Sequence, residues 1–352
     1  MRSRGSALAR DCARVAAQDA SGSRASARPS PARHRLQPRP TPGFYNGRMS
    51  SAPPDLPRPP LAPRHWPAWC GIGLMAVSAR IPWPLQRMLG RGLGNLLRLA
   101  LASRRKVAAR NLELCFPDLD AATRKTLLRR HFHALGIGLF EFGRAWWGSI
   151  APLRRGLVVE GVEHVEAARA AGRGVIVVSG HFTTLEVCGR LMCDYVPLAG
   201  MYRPHSEAAM EWAVRRGRAR YAAAMFPKRD VRGVVRHLKR GGLLWYAPDQ
   251  DPSGGDAVYV PFFGRPAHSL TSTHSLARMS GAAVLFYRHV RREDGGYTLS
   301  LTPAPEPYPT ADAAADTATV MAGIEAMARA APDQYLWIHR RFKRQPDGAS
   351  LY

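Results

Sequence analysis

Residues Gly174 to Gly189 read GVIVVSGHFTTLEVCG. Val175 to Val178 is an unbroken run of β-branched apolar residues, the signature of a strand buried on both faces. Ser179 and Gly180 end the run, and His181, Phe182, Thr183, Thr184, Leu185 and Glu186 follow. A histidine and a glutamate in H-x-x-x-x-E spacing therefore stand at the end of a buried strand. Ligands in open α/β sheets bind outside the carboxyl ends of the strands, so the pair is a candidate site. On a regular helix, positions i and i+5 lie about 140° apart and would not meet. They meet if His181 occupies the strand-to-helix turn and Glu186 the first turns of the next helix, with Gly180 permitting an unusual φ.

The surrounding sequence extends this rhythm. Expected strands are Leu157–Glu160, Val196–Tyr202, Leu243–Ala247, Val258–Phe262 and Ala283–Tyr287. Helices are expected over Val162–Ala171, from the motif to about Cys193, over Glu207–Arg220, from the Asp230 cap to Arg240, and over His268–Met279 and Ala311–Ala330. A hairpin is expected about Asp294-Gly295-Gly296. Strands alternating with helices predict an α/β fold with a mostly parallel central sheet flanked by helices.

The 352 residues are 46% hydrophobic, ample for a large core. Net charge is +25, from 51 Lys plus Arg against 26 Asp plus Glu, which favours an anionic partner of some kind. Cys12, Cys70, Cys115, Cys188 and Cys193 form no C-x-x-C pair, which argues against a disulfide framework or zinc site and for a reducing compartment. Cys188 and Cys193 read as packing residues.

Three regions follow from composition. Residues 1–65 form a basic Pro/Ser/Arg-rich leader expected to be disordered, with Met49 an alternative start. Residues 66–110 read as membrane-associated helices. Trp66–Ala79 is uncharged but shorter than the ~20 residues that span a bilayer, which suggests a shallow interfacial helix, or else a tilted span. Trp66, Trp69 and Trp83 are candidate headgroup anchors. Arg87, Arg91 and Arg98, then Arg104, Arg105, Lys106 and Arg110, suit an anionic leaflet. The third region, 111–348, begins with a helix from the Asp120 cap to Trp147 and holds the candidate site.

Polar groups recur at three expected strand ends: His181 with Glu186, then Arg203, then Asp249, Gln250 and Asp251. His181 suits proton transfer near neutrality. Glu186 is expected to hold its tautomer, and Arg203 to bind a phosphate or an oxyanion. No G-x-S-x-G elbow, P-loop or G-x-G-x-x-G is present, and no cysteine is placed as a nucleophile. A base without a protein nucleophile points to a substrate hydroxyl attacking an activated acyl group. Asp249 and Asp251 as a Mg²⁺ pair is the competing reading, although carboxylates beside Gly-rich turns often only cap them.

GHFTTLE, MYRP, LLWYAPDQD, VPFFG, LARMSGA, QYLWIHRRFK and NLELCFPDL, in this order apart from the last, which precedes them, resemble the lipid A late acyltransferases of the lysophospholipid acyltransferase-like superfamily. The similarity runs from about Trp66 to Gly348. It implies a glycerolipid acyltransferase-like fold and transfer of a fatty acyl group from acyl-acyl carrier protein to a hydroxyl on a 3-hydroxyacyl chain of a lipid A precursor. It further implies the cytoplasmic face of an inner membrane. No cofactor or metal is expected, and no nucleic acid, since only the charge would support one. By the resemblance His181 is the general base, Glu186 its acidic partner, and Arg203, Asp249, Asp251, Arg340 and Arg341 substrate-binding residues. Phe182, Phe262, Phe263 and Met279 are candidates to line an acyl cleft, with plain core the alternative. Acylation of another membrane alcohol, of phosphatidylinositol mannoside or ornithine lipid type, and a non-catalytic lipid-binding adaptor remain open.

Overall fold

The computed structural model describes residues 58–352, so the Met49 start and most of the expected leader lie outside the described residues. The helices and strands, in chain order, are α1 (Trp66–Ser78), α2 (Trp83–Ala100), α3 (Ala102–Cys115), α4 (Ala121–Trp147), α5 (Ala151–Arg154), β1 (Val158–Glu160), α6 (Val162–Ala170), β2 (Val175–Val178), α7 (Leu185–Met192), β3 (Leu198–Tyr202), α8 (Ala208–Arg218), β4 (Met225–Pro227), α9 (Val231–Lys239), β5 (Leu243–Tyr246), β6 (Ala257–Phe262), β7 (Arg265–Leu270), α10 (Ser272–Ser280), β8 (Ala283–Arg291), β9 (Tyr297–Pro303) and α11 (Ala313–Ala330).

A seven-stranded sheet has the order β1-β9-β8-β2-β5-β3-β4. Strands β8, β2, β5, β3 and β4 run parallel, and β9 pairs antiparallel to β8. The expected α/β class with a mostly parallel sheet is thus present. The run VIVV is fully buried at the centre because helices cover both faces, as its lack of alternation required. Its alternate residues feed two cores. Ile176 and Val178 join Leu244, Val284 and Phe286 on one face, while Val175 and Val177 join Leu243, Leu285 and Tyr287 on the other.

Connection handedness distributes the helices. The crossovers β2-α7-β3 and β3-α8-β4 move the same way across the sheet, whereas β4-α9-β5 moves back. Right-handed crossovers then put α7 and α8 on one face and α9 on the other. The side chains agree: Val187 and Leu191 of α7 pack with Leu243, and Val234 and Leu238 of α9 with Leu244. Connections leave the adjacent strands β2 and β5 toward opposite faces, so the crevice between their carboxyl ends is a topological switch point.

Two helix caps follow the sequence closely. Asp120 accepts from the Thr123 N–H at the start of α4, and Asp230 from the Gly233 N–H at the start of α9. The segment from 265 to 279 differs from expectation. Arg265–Leu270 is a strand paired antiparallel with β6, and the helix begins only at Ser272. Strand β4, unread in the sequence, is three residues long and carries no periodic signal. Gly180 also has a different reason from the expected one. It has no positive φ, but a Cβ there would lie 2.9 Å from Ile324 Cγ2 and 3.1 Å from the Phe182 ring.

No helix among the described residues is long and apolar enough to cross a membrane. Helix α1 has 13 residues, about 20 Å of rise. Of the three expected tryptophan anchors, Trp66 is 60% exposed, whereas Trp83 is buried against Tyr297 and Trp69 stacks edge-on against Trp212.

Candidate active site

Strand β2 delivers His181 and β5 delivers Asp249 to the switch-point crevice. His181 Nδ1 lies 2.6 Å from Asp249 Oδ1, and the His181 backbone N–H donates to Oδ2 at 2.8 Å. Asp249 is 1% exposed, while 31% of the His181 side chain remains accessible. With Nδ1–H directed at the carboxylate, Nε2 is the ring nitrogen left to accept a proton. Burial opposes charge on both groups. For His181 the neighbouring Asp249 charge and hydrogen bond outweigh burial and raise the pKa above its ordinary value. For Asp249 the same partner, with the His181 N–H and the Tyr335 hydroxyl, holds the carboxyl at about 2.

The turn is held from two other directions. Leu336 N–H donates to the His181 carbonyl at 2.9 Å, and Thr183 N–H to the Gln334 carbonyl at 2.8 Å. Asn111 in turn donates to the carbonyls of Trp337 and His339, at 2.6 and 2.7 Å. A recess of about 230 Å³, open mouth included, is bordered by His181, Asp249, Asn111, Trp337, His339 and Arg341.

Glu186 does not touch the imidazole, which corrects the expected His181–Glu186 pairing. It is 4% exposed, and both its oxygens are engaged elsewhere. Oε1 accepts from Trp146 Nε1 at 2.6 Å, from Arg218 Nε at 3.0 Å and from the Tyr221 hydroxyl; Oε2 accepts from Arg218 Nη2 at 2.7 Å. Burial would raise its pKa, but the Arg218 charge and these donors lower it. The reason is helical: five residues beyond His181, Glu186 points toward α4 and α8 rather than back to the turn.

A sequence profile described as bacterial lipid A biosynthesis acyltransferase matches residues 58–344. The chain is 41% identical over 295 residues to a lipid A biosynthesis palmitoleoyltransferase of Escherichia coli (strain K12), covering 83% of this chain and 96% of that one. It is 39% identical over 291 residues to a lipid A biosynthesis lauroyltransferase of the same strain, covering 82% and 95%. The chain belongs to the bacterial lipid A biosynthesis acyltransferases. A solved 1-acyl-sn-glycerophosphate acyltransferase from Thermotoga maritima is 18% identical and covers 70% of this chain and 98% of that one, with a TM-score of 0.33, too low to bear on the fold.

In this lipid A acyltransferase, a second and more apolar cavity of about 450 Å³, open mouth included, lies on the α7 side of the sheet. Leu185, Leu198, Met201, Met225 and Trp245 line it, with Glu186 and Arg218 in its wall. The Trp245 ring is 6.4 Å from the His181 ring, so this cavity adjoins the imidazole. The aromatic residues considered for an acyl cleft are not in it. Phe182, Phe262 and Phe263 are buried in the larger core, and Met279 is 45% exposed on α10.

The remaining candidates divide by position. Arg341 borders the His181 recess but is 3% exposed, donating to the His268 carbonyl and to Ser269 Oγ. Asp251 lies 3.5 Å from His268 Nδ1 and 3.4 Å from Arg344 Nη1, and its N–H donates to His339 Nε2. Those contacts hold Asp251 on the loop after β5, whereas Asp249 is engaged by His181; among the described residues no group of three His, Cys, Asp or Glu is placed to hold a metal. Arg203 is exposed at the end of β3, and Arg340 is exposed over the Tyr352 ring. Cys188 is fully buried, and burial pushes its thiol well up, in keeping with packing.

His289 is the residue that sequence reading missed. It is 1% exposed on β8, with Nε2 3.2 Å from Ser179 Oγ and Nδ1 2.9 Å from Thr184 Oγ1. One ring thereby clamps both ends of the turn that carries His181. Burial lowers its pKa to about 3, so it stays neutral and donates through one nitrogen only. No local motif flags it, since its partners are 105 and 110 residues away. His289→Leu leaves two buried hydroxyls without that partner, at about 1–3 kcal/mol each. The expected result is a kcat loss of about ten- to hundredfold with KM little changed, because a displaced catalytic group costs rate at that scale. His289→Gln should restore part of the rate. A folded Leu variant with wild-type kcat would show that the clamp is immaterial to turnover.

Proposed function

We propose that this enzyme transfers a fatty acyl group from acyl-acyl carrier protein to a hydroxyl on a 3-hydroxyacyl chain of a lipid A precursor, at the cytoplasmic face of the inner membrane. The observation that carries the reading is the His181–Asp249 pair at the switch point, with one imidazole nitrogen free and an apolar cavity beside it. His181 Nε2 takes the acceptor's hydroxyl proton as the oxygen attacks the thioester carbonyl. The new C–O bond forms, the C–S bond breaks, and the imidazolium returns its proton to the departing thiolate. Asp249 keeps Nδ1 protonated and stabilises the imidazolium, the part an aspartate plays in hydrolase triads. The cavity lined by Leu185, Met201, Met225 and Trp245 suits the acyl chain.

The N-terminal helices support a membrane surface. Helix α2 buries Gln86, Gly90 and Gly94 and exposes Met88, Leu96 and Leu99 at 60–63%, the reverse of a water-facing helix. Leu74 and Val77 of α1, which also packs on α4, are exposed as well, and Arg91 is exposed on α2. An apolar face interleaved with arginine fits the headgroup boundary of an anionic leaflet. Gly90 and Gly94 let α2 seat directly on α4 at Gly136 and Ile137, while Gly138 of α4 abuts Thr183 of the motif turn. The apolar surface is thus one helix away from His181.

The test is an assay with purified enzyme, acyl-acyl carrier protein and a lipid A precursor, read by mass spectrometry. One added acyl chain is expected, and none from either a thioester donor or the precursor alone. Leu96→Glu/Leu99→Glu should keep the fold and lose flotation with anionic phospholipid vesicles. An unaltered precursor overturns the transfer reading; undiminished flotation overturns the membrane face.

A further inference from the structure

The cations around α9 stand where the fold gives no reason for them. Lys228, Arg229, Arg232, Arg236, Lys239 and Arg240 are all exposed, and none makes an ion pair among the described residues. The one acid among them, Asp230, is occupied in capping Gly233. Arg232, Arg236 and Lys239 share the helix side opposite Val234 and Leu238, the residues that pack α9 on the sheet. Cations in the last turn complement the helix dipole. Lys228, Arg229 and Arg232 lie at the positive, N-terminal end, where the dipole disfavours them. Folding stability therefore does not account for the first half of the stripe.

Its position relates it to the site. Lys228 N–H donates to the Tyr202 carbonyl, so the end of β4 and the end of β3, with exposed Arg203, are level. Both lie on the carboxyl edge of the sheet that carries His181. Strand β4 is three strands from β2, about 14 Å at ~4.8 Å per spacing. From there the stripe runs down the sheet face opposite α7 and α8. Helix α1, whose apolar surface faces outward, packs on α4 and on α8. The cations therefore sit across the sheet from α1 and α8, and Val231 is the one large hydrophobic exposed among them, at 41%. A cationic face with almost no apolar content, placed across the sheet from α1, fits an anionic protein better than a bilayer.

We infer that Arg203, Lys228, Arg229, Arg232 and Arg236 form the docking surface for the acidic carrier protein that presents the acyl thioester. This inference rests on the donor proposed above. A carrier seated on α9 would project its thioester-bearing arm across the ends of β4, β3 and β5 toward His181, a span that an extended prosthetic arm can cover. Surface charge of this kind raises the rate of encounter and is screened by salt.

Arg232→Glu/Arg236→Glu tests it, because both residues are exposed and lie outside the reacting groups. The donors are the same acyl group on carrier protein and on coenzyme A. The expected result is a KM for the carrier-bound donor raised about tenfold or more, with kcat and the coenzyme A rate unchanged. The wild-type rate with carrier-bound donor should fall with added salt, and the variant's should fall less. If the wild type uses carrier-bound donor and the variant's KM is unchanged, the docking surface is wrong and the donor reading stands. If the wild type transfers from coenzyme A alone, the donor reading fails and the surface with it. Loss of anionic-vesicle flotation by the variant, with its carrier KM intact, would make the stripe a membrane contact and overturn the inference.

Discussion

Asp249→Asn is expected to lower kcat by about three to four orders of magnitude, the scale seen when a histidine's orienting carboxylate is replaced by an amide in hydrolases. The amide keeps the volume but can neither fix the tautomer nor stabilise the imidazolium. The pH profile separates this from a general loss of fold. In the wild type the Asp249 charge raises His181 above 6.5 despite burial. The base must be neutral to work, so kcat/KM should fall as pH drops through that raised value. Without the carboxylate, burial alone remains and disfavours the imidazolium. The acid limb of the residual activity should therefore move to lower pH. A variant with wild-type circular dichroism, full activity and an unmoved limb would remove Asp249 from the mechanism.

Glu186→Gln should act on stability. It removes the charge that pairs with Arg218, whose side chain is only 19% exposed, and disturbs the acceptor shared by Trp146 and Tyr221. Breaking a buried pair from one side costs about 3–5 kcal/mol, or about 4–8 °C in Tm for a chain of this size. The pH dependence has a definite sign. Glu186 has a folded pKa below its ordinary 4.5, so its contribution is present above that value and is lost as pH falls through the lowered one. The stability gap between wild type and variant should therefore narrow in acid. Enzyme that remains folded should keep the wild-type acid limb, because the imidazole answers to Asp249. A variant with unchanged Tm but a shifted limb would return Glu186 to the imidazole.

These two experiments separate Glu186, which the sequence offers as the imidazole's partner, from Asp249, which it offers only as a polar residue at another strand end. Glu186 is the nearer in sequence, and its interval from His181 is the visible pattern. Asp249 is 68 residues away. It was legible as one of several polar residues at strand ends, without any sign of which imidazole it would meet. Arg203 and Asp251 were visible in the same way and lie apart from the His181 nitrogens. His289 and Asn111, which hold the turn and the 334–339 segment, carried no chemical signal, because their partners are backbone carbonyls and buried hydroxyls far along the chain.

The amino-acid sequence by itself determined the local events. A run of β-branched residues made a strand buried on both faces, Asp120 and Asp230 started helices, and Ser-Gly-His closed the strand where the sheet would bind a ligand. These depend on side-chain shape and on hydrogen bonds a few residues long. Strand order was decided only in the tertiary structure. It rests on how crossovers of fixed hand stack helices on the two faces of the sheet. That order set β5 beside β2, put the Asp249 carboxylate against the His181 ring, and turned Glu186 into the core. The stretch from Gly174 to Gly189 thus announced the base, and the neighbour in the sheet supplied its partner.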